Sequence, residues 1–360
     1  MKAAVLYEVN KPLVIEDLDL KAPEYGEVLI KMEASGVCHS DWHVIKGDWD
    51  VFPLPIVLGH EGAGIVMEVG PDVTSVQPGD HALLAWRAAC GLCEMCHQGW
   101  PNLCINAGLV GERAIHRGTG KSINQMVQLG TFATHTVVPE TAVVAIDKDI
   151  PFPQASLVGC GVMTGVGAVM NTARLQPGSS AAVFGCGGVG LNCIQGAALA
   201  GATTIIGVDL LESKLERAPQ FGATHTVNAS VEDPVEAILE LTDGNGVHYA
   251  FEAIGVTADP FVQTIRCTRR RGVTIWMGHA PVNTPVTIDA RDLMQEKMVM
   301  GSMYGSARPR VDFPRLLNLY KSGRLKLDEL ITRRYLLDDV NDAITALANG
   351  EVARSVLTFS

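Results

Sequence analysis

The chain has 360 residues, enough for two domains of ordinary size, and its 47% hydrophobic and 19% charged residues supply core material for both. Its formal net charge of −11 excludes a nucleic-acid binder that works by neutralising phosphate, which needs a basic face. The opening MKAAVLYEVNKPLVIEDLDL does not read as a signal peptide, because Glu8 interrupts the apolar run and no small-residue cleavage site follows. A reducing, cytoplasmic setting is therefore expected, where clustered cysteines serve metal or redox chemistry rather than disulfides.

The first 150 residues alternate short β-type runs with Gly/Pro turns. EVLIKMEASG, HEGAGIVMEVG and TFATHTVV are such runs, and PGD at 78–80 is such a turn. The pattern predicts an irregular antiparallel β-domain. Inside it lies CGLCEMCHQGWPNLC, with cysteines at 90, 93, 96 and 104 spaced C-x2-C-x2-C-x7-C. A disulfide framework does not suit a reducing compartment or a total of nine cysteines. Iron–sulfur ligation would place the fourth cysteine after three residues with proline behind it, whereas Ile105 follows a gap of seven. Four thiolates at these spacings close a tetrahedron around zinc and leave no open position, so Cys90, Cys93, Cys96 and Cys104 are expected to pin a loop. His97, inside this lobe, reads as a surface histidine.

Between Asp149 and Asp209 the only charged residue is Arg174, a run that a hydropathy scan would offer as membrane spans. Twelve glycines with Pro151, Pro153 and Pro177 punctuate it, which suits buried strands and tightly packed helices; no membrane partner is expected. From about Leu175 the texture becomes strand–helix–strand. SSAAVFG runs into a glycine turn and the helix LNCIQGAALAGA, then the strand TTIIGVD, the helix ESKLERAPQFGA and the strand ATHTVN. A helix VEAILELTDG and strands HYAFEAIG and RGVTIWMGHA follow, which together predict a doubly wound parallel sheet. After Gly301 come helical DFPRLLNLYKSG and VNDAITALANG and a closing strand RSVLTF, with no internal repeat anywhere.

The glycine turn has the form G-x-G-x-x-G at Gly185, Gly187 and Gly190, with Gly188 and Val189 between the last two. Placed between a strand and a helix, it predicts a pyrophosphate site at the helix N-terminus. Asp209 closes the second strand nineteen residues past Gly190, where a carboxylate accepts from the adenosine ribose hydroxyls and repels a 2′-phosphate. Lys214 is within reach of the same ribose. The expectation is NAD(H) rather than NADP.

Three further segments, GVCHSDWH, GHEGAGIV and GCGVMTG, each place one zinc-type ligand beside glycine: Cys38, His60 and Cys160. Singly, each reads as a packing residue. Together, two thiolates and an imidazole form a three-ligand zinc site with its fourth position free, which is the catalytic arrangement.

GHEGAGIV, the cysteine lobe, FGCGGVG and RSVLTF, in that order, make the chain resemble the zinc-dependent medium-chain alcohol dehydrogenases nearly end to end. The resemblance implies an α/β protein. A GroES-like irregular β catalytic domain would occupy 1–160 and 302–360, and a Rossmann NAD domain 161–301. It implies two zinc ions per chain: a catalytic one on Cys38, His60 and Cys160, with Glu61 as occasional or supporting ligand, and a structural one in the lobe. Asp41 resembles the carboxylate that orients the zinc-bound imidazole, and Ser40 and His43 resemble a proton relay. His39 and Arg354 match positions that contact the cofactor pyrophosphate, although the family often carries Arg where His39 stands. Trp49, Phe52, Trp86, Leu109, Met303 and Tyr304 fall near substrate-pocket positions, with ordinary core packing as the plainer reading. Cys186, Cys193 and Cys267 read as packing.

The implied reaction moves hydride between a primary alcohol/aldehyde pair and NAD. Three rivals stay open: oxidation of a thiol–formaldehyde adduct, permanently bound NAD recycled by a second substrate, and a non-catalytic NAD(H)-binding protein. Against a glutathione adduct, Gly108 stands where such relatives carry an arginine. The long segment between Cys104 and Phe132 is one that tetrameric bacterial relatives tend to lack, so a homodimer is expected ahead of a homotetramer.

Overall fold

The longest strand of the chain, Glu27–Val37, alternates as a half-buried strand should, with Val28, Ile30 and Met32 fully buried. In the computed structural model, which describes residues 1–359, this strand pairs antiparallel along its length with Glu61–Val69. Its start also pairs with His135–Pro139 and its end with Arg354–Thr358. The sheet around it runs Val143–Ile146, His81–Leu84, Glu61–Val69, Glu27–Val37, Arg354–Thr358, Ile331–Leu336, and only its last pair is parallel. The C-terminal RSVLTF therefore returns to the sheet built by the N-terminal third. A closed barrel of Lys2–Leu6, Val14–Leu20, Val110–His116, Ser122–Met126 and Ile56–Val57 completes this part. The larger of its apolar clusters joins Ile30, Met32, Leu58 and Phe132 to Ile344 and Leu347 from the helix Val340–Ala348.

These elements form one compact unit, Met1–Cys160 with the chain from Arg308 onward; Gly161–Ala307 forms the other. The sequence reading placed the second passage at 301/302. The second unit holds a six-stranded parallel sheet ordered His225–Asn228, Thr204–Asp209, Ser180–Phe184, Val247–Glu252, Thr268–Trp276, Met298–Gly301. Numbered within this unit, that order is 3-2-1-4-5-6, the doubly wound arrangement that binds dinucleotides where the order reverses. Its central strand, Ser180–Phe184, is buried from Ala181 onward, as expected for a parallel strand covered on both faces.

Two expectations need correction. ESKLERAPQFGA is not one helix but a turn of α-helix, Glu212–Leu215, followed by a 3-10 turn, Ala218–Phe221, because Pro219 cannot donate to a continuing ladder. Conversely, Phe152–Ala173 is a continuous helical run of 22 residues rather than short punctuated pieces. It is long and apolar enough to cross a membrane by length and composition, but most of it is buried inside the protein like a core helix. Its glycines are contact points rather than breaks. A Cβ on Gly165 would meet the Val189 carbonyl oxygen at 2.5 Å, and one on Gly167 would meet that of Gly305 at 2.4 Å. Two π-helical stretches, Val158–Val162 and Ala168–Ala173, interrupt its α-helical geometry.

Candidate active site and metal centres

Strand register gathers the dispersed ligands. Gly36 stands opposite Glu61, and Val37 opposite Ser355, so Cys38, His60, Glu61 and Arg354 all lie at one end of three adjacent strands. Cys160 arrives from the π-helical stretch Val158–Val162, a local geometry found often at functional sites. Gly159 lets it come close, since a Cβ there would sit 2.8 Å from the Leu84 carbonyl oxygen. The ligand atoms of Cys38, His60, Glu61 and Cys160 all lie within 4.8 Å of one another.

A buried carboxylate organises this cluster. Asp41, fully buried in the first turn of the helix His39–Lys46, accepts from the backbone N–H of Cys38 (3.0 Å) and Gly59 (3.0 Å), and from His60 Nδ1 (3.3 Å). His60 Nε2 is left buried with no hydrogen-bond partner, as is Glu61 Oε1. Such orphans cost about 1–3 kcal/mol each unless something else satisfies them, and a metal among two thiols and an imidazole does so. Glu61 Oε2 is bound to the Arg354 guanidinium, both side chains being buried. Gly36 makes room for that pair, because a Cβ there would overlap the Glu61 carboxylate at 2.1 Å.

The charges are strongly coupled. A hydrogen bond from Cys160, joined by His60 and Arg354, holds the Cys38 thiol well below its ordinary range against its burial. The same bond, with burial, pushes Cys160 well up. Burial opposes protonation of His60, but Asp41 and Cys38 outweigh it and raise its pKa well above the usual value. Burial also raises Glu61, with Arg354 pulling the other way.

The lobe gathers its own four sulfurs. Cys93 Sγ lies 3.5 Å from Cys96 Sγ and 3.9 Å from Cys104 Sγ, close to the roughly 3.8 Å edge of a tetrahedron with 2.3 Å zinc–sulfur bonds. All nine cysteines are free, so no disulfide competes. Backbone N–H from Leu92, with Asn106 Nδ2, brings the Cys90 thiol down to about 6, while burial and Cys93 push Cys96 up to about 12.

In the second unit the glycine turn joins Ser180–Phe184 to the helix Gly188–Leu199. Gly185 has φ +94°, and a Cβ on Gly190 would lie 1.6 Å from the Gly185 carbonyl oxygen, so both positions require glycine. Gly187 faces open space, the cradle a pyrophosphate needs, with Val189 in the first turn behind it. Asp209 braces the turn: Oδ2 accepts from Cys186 N–H (2.8 Å) and Oδ1 from Leu211 N–H (3.1 Å). Lys214 Nζ stands 3.9 Å from the same carboxylate.

The remaining residues singled out in the sequence are spread more widely. Ser40 Oγ lies 3.8 Å from Cys38 Sγ. His43 is nearly buried, stacks on Trp49 with centroids 4.9 Å apart, and bonds through Nδ1 to Asp48 Oδ2 at 2.8 Å. Asp48 was missed, since one aspartate in GDWD carries no pattern. His39 is exposed on the first turn of its helix, whereas Arg354, read as a cofactor contact, is buried against Glu61. Trp49, Phe52 and Trp86 pack against the larger apolar cluster, and Leu109 is exposed. Met303 and Tyr304 belong to the second unit, where Tyr304 is buried at φ +57°.

Comparison with known proteins agrees with both halves of this description. Residues 24–148 match the family model of the alcohol dehydrogenase GroES-like domain, and 188–322 that of zinc-binding dehydrogenases. The NDMA-dependent alcohol dehydrogenase of Amycolatopsis methanolica is 40% identical over 100% of this chain and 99% of its own length. The S-(hydroxymethyl)glutathione dehydrogenase of Paracoccus denitrificans is 38% identical over 99% of each. Among solved structures, benzyl alcohol dehydrogenase from Acinetobacter calcoaceticus superposes with a TM-score of 0.93 at 34% identity, covering 100% of this chain and 99% of that one. Matched along its whole length, the chain belongs to the zinc-dependent medium-chain alcohol dehydrogenase family.

Proposed function

We propose that this zinc-dependent oxidoreductase moves hydride between a primary alcohol/aldehyde pair and NAD(H). Catalytic zinc would be held by Cys38, His60 and Cys160, and a second zinc by the four-cysteine lobe. The observation that carries the reading is the buried, unpartnered His60 Nε2, aimed among two thiols by Asp41. When bound, zinc would lower the pKa of an alcohol hydroxyl towards about 7 and polarise the carbonyl in reverse, while NAD(H) exchanges the hydride.

The chain's own residues do the rest. Asp41 fixes the His60 tautomer by taking its Nδ1–H. The Ser40 hydroxyl, beside Cys38, takes the proton from the substrate hydroxyl and passes its own onward to the His43 imidazole. Glu61, an occasional ligand, is restrained by Arg354. The turn at Gly185, Gly187, Gly188, Val189 and Gly190 cradles the pyrophosphate, with His39 and Arg354 as further contacts. Asp209 and Lys214 take the adenosine ribose, and the Asp209 carboxylate favours NAD over NADP. Trp49, Phe52, Trp86, Leu109, Met303 and Tyr304 supply apolar surface for the substrate.

The test is NADH formation from primary aliphatic and aromatic alcohols, set against formaldehyde with and without glutathione or mycothiol. Turnover of alcohols without thiol is expected. Gly108 offers no cation to a thiol's carboxylate and is packed on the Gln128 amide. Turnover of formaldehyde only with thiol would overturn the assignment. Turnover without free NADH, requiring an added acceptor, would support permanently bound cofactor, a reading favoured by the NDMA dependence in one relative's name.

We also propose a cytoplasmic homodimer. Nine free thiols suit a reducing compartment, and Met298–Gly301 is an edge strand carrying exposed Met298 and Met300. Sedimentation at a tetramer's mass would overturn the dimer.

A further inference from the structure

The helix His39–Lys46 ends in a hydrogen-bond pattern that has a chemical consequence. Gly47 is left-handed at φ +76°, its N–H bonds to the Val44 carbonyl, and the Asp48 N–H bonds to the His43 carbonyl. This pair of bonds is a Schellman cap, which brings the side chains of the fourth-last helical residue and the second residue past the end together. Apolar residues usually occupy those two places. Here they are His43 and Asp48, and the contact is Nδ1 to Oδ2 at 2.8 Å.

We infer that Asp48 is a positioning residue that holds His43 as the Nδ1–H tautomer, so that Nε2 is the nitrogen that receives the relay proton. This inference rests on the relay role proposed above for His43. An ionised carboxylate only accepts, so the bond to Asp48 requires the proton on Nδ1 and leaves the lone pair on Nε2. Trp49, stacked on the imidazole at 22°, fixes the plane of the ring. Lys46 Nζ, 3.5 Å from Asp48 Oδ2, is the other charge on the carboxylate; with the His43 hydrogen bond as the larger influence, it keeps Asp48 below the usual carboxylate range. When Nε2 takes up the proton, both ring nitrogens become donors and the bond to Asp48 becomes charge-assisted, which stabilises the transient imidazolium. Base and orienting carboxylate thus stand together at the C-terminal end of one helix, whose opposite end is capped by the metal-ligating Cys38.

The experiment is nitrogen NMR of 15N-histidine-labelled, zinc-loaded protein, with His43 assigned by the His43→Gln variant, alongside turnover of Asp48→Ala in dilute and imidazole-rich buffer. The expected result is an Nδ1–H signal for His43 that is lost in Asp48→Ala. Turnover of that variant should fall about tenfold or more in dilute buffer and recover with added imidazole, to which the wild type is indifferent. An Nε2–H tautomer in the wild type would overturn the inference, as would full activity in Asp48→Ala or a loss that imidazole does not restore. If His43→Gln itself keeps full activity, the relay reading falls and Asp48 with it. If His43→Gln is slow and buffer-rescued while Asp48→Ala is not, only the role of Asp48 falls.

Discussion

The two sulfur-rich centres are built by opposite means. The lobe takes four ligands from Cys90 to Cys104, held by one helical turn, Glu94–His97, and a 3-10 turn, Pro101–Leu103. The buried centre takes its ligands from residues 38, 60 and 160 and depends on the register of Glu27–Val37, Glu61–Val69 and Arg354–Thr358. A local cluster needs a metal to hold its loop, because little apolar surface fixes Leu92 or Ile105. A dispersed cluster is held by strand register, with Asp41, Glu61 and Arg354 hydrogen-bonded around it. Metal loss should therefore cost the lobe its structure and the buried centre its chemistry.

That contrast can be broken at several points. The largest expected effect is from His60→Ala, which should lower turnover by about a thousandfold or more, the several kcal/mol a Lewis acid supplies. A variant that retains activity would remove the buried centre from the reaction. Next is Cys93→Ser in the lobe, expected to lower the melting temperature by about 5 °C or more. Unchanged thermal unfolding would mean that the lobe holds itself together. Asp41→Ala should weaken zinc binding at the buried centre about 10–100-fold while sparing the lobe, measured by competition with a chelator. Equal weakening at both sites would contradict the specific role of Asp41. The smallest effect is from Gly36→Ala. Its Cβ displaces the Glu61 carboxylate and should destabilise the fold by about 1–3 kcal/mol in denaturant titration.

What could be read in advance follows the same division. The lobe and the glycine turn are legible because their function depends on spacing within a few residues, where sequence distance and spatial distance agree. Gly190 is fixed by the Gly185 carbonyl, five residues away. Cys38, His60 and Cys160 are bland singly, and only their combination, in a chain that also carries the dinucleotide turn, joins them; the strand register that unites them has no local signature. Asp48 escaped notice because the cap that delivers it to His43 is a backbone conformation, marked in sequence by Gly47 alone. The length of Phe152–Ala173 was misread because glycine signals both a helix break and a close helix contact, and only the neighbours at Val189 and Gly305 decide which.

The most direct measurement is zinc per chain, by elemental analysis, in the wild type and in Cys38→Ala. The account predicts about two ions falling to about one, with the variant folded and the lobe's ion retained. A wild type with one ion, or a variant that loses both, would contradict the claim that two independently built centres share this chain.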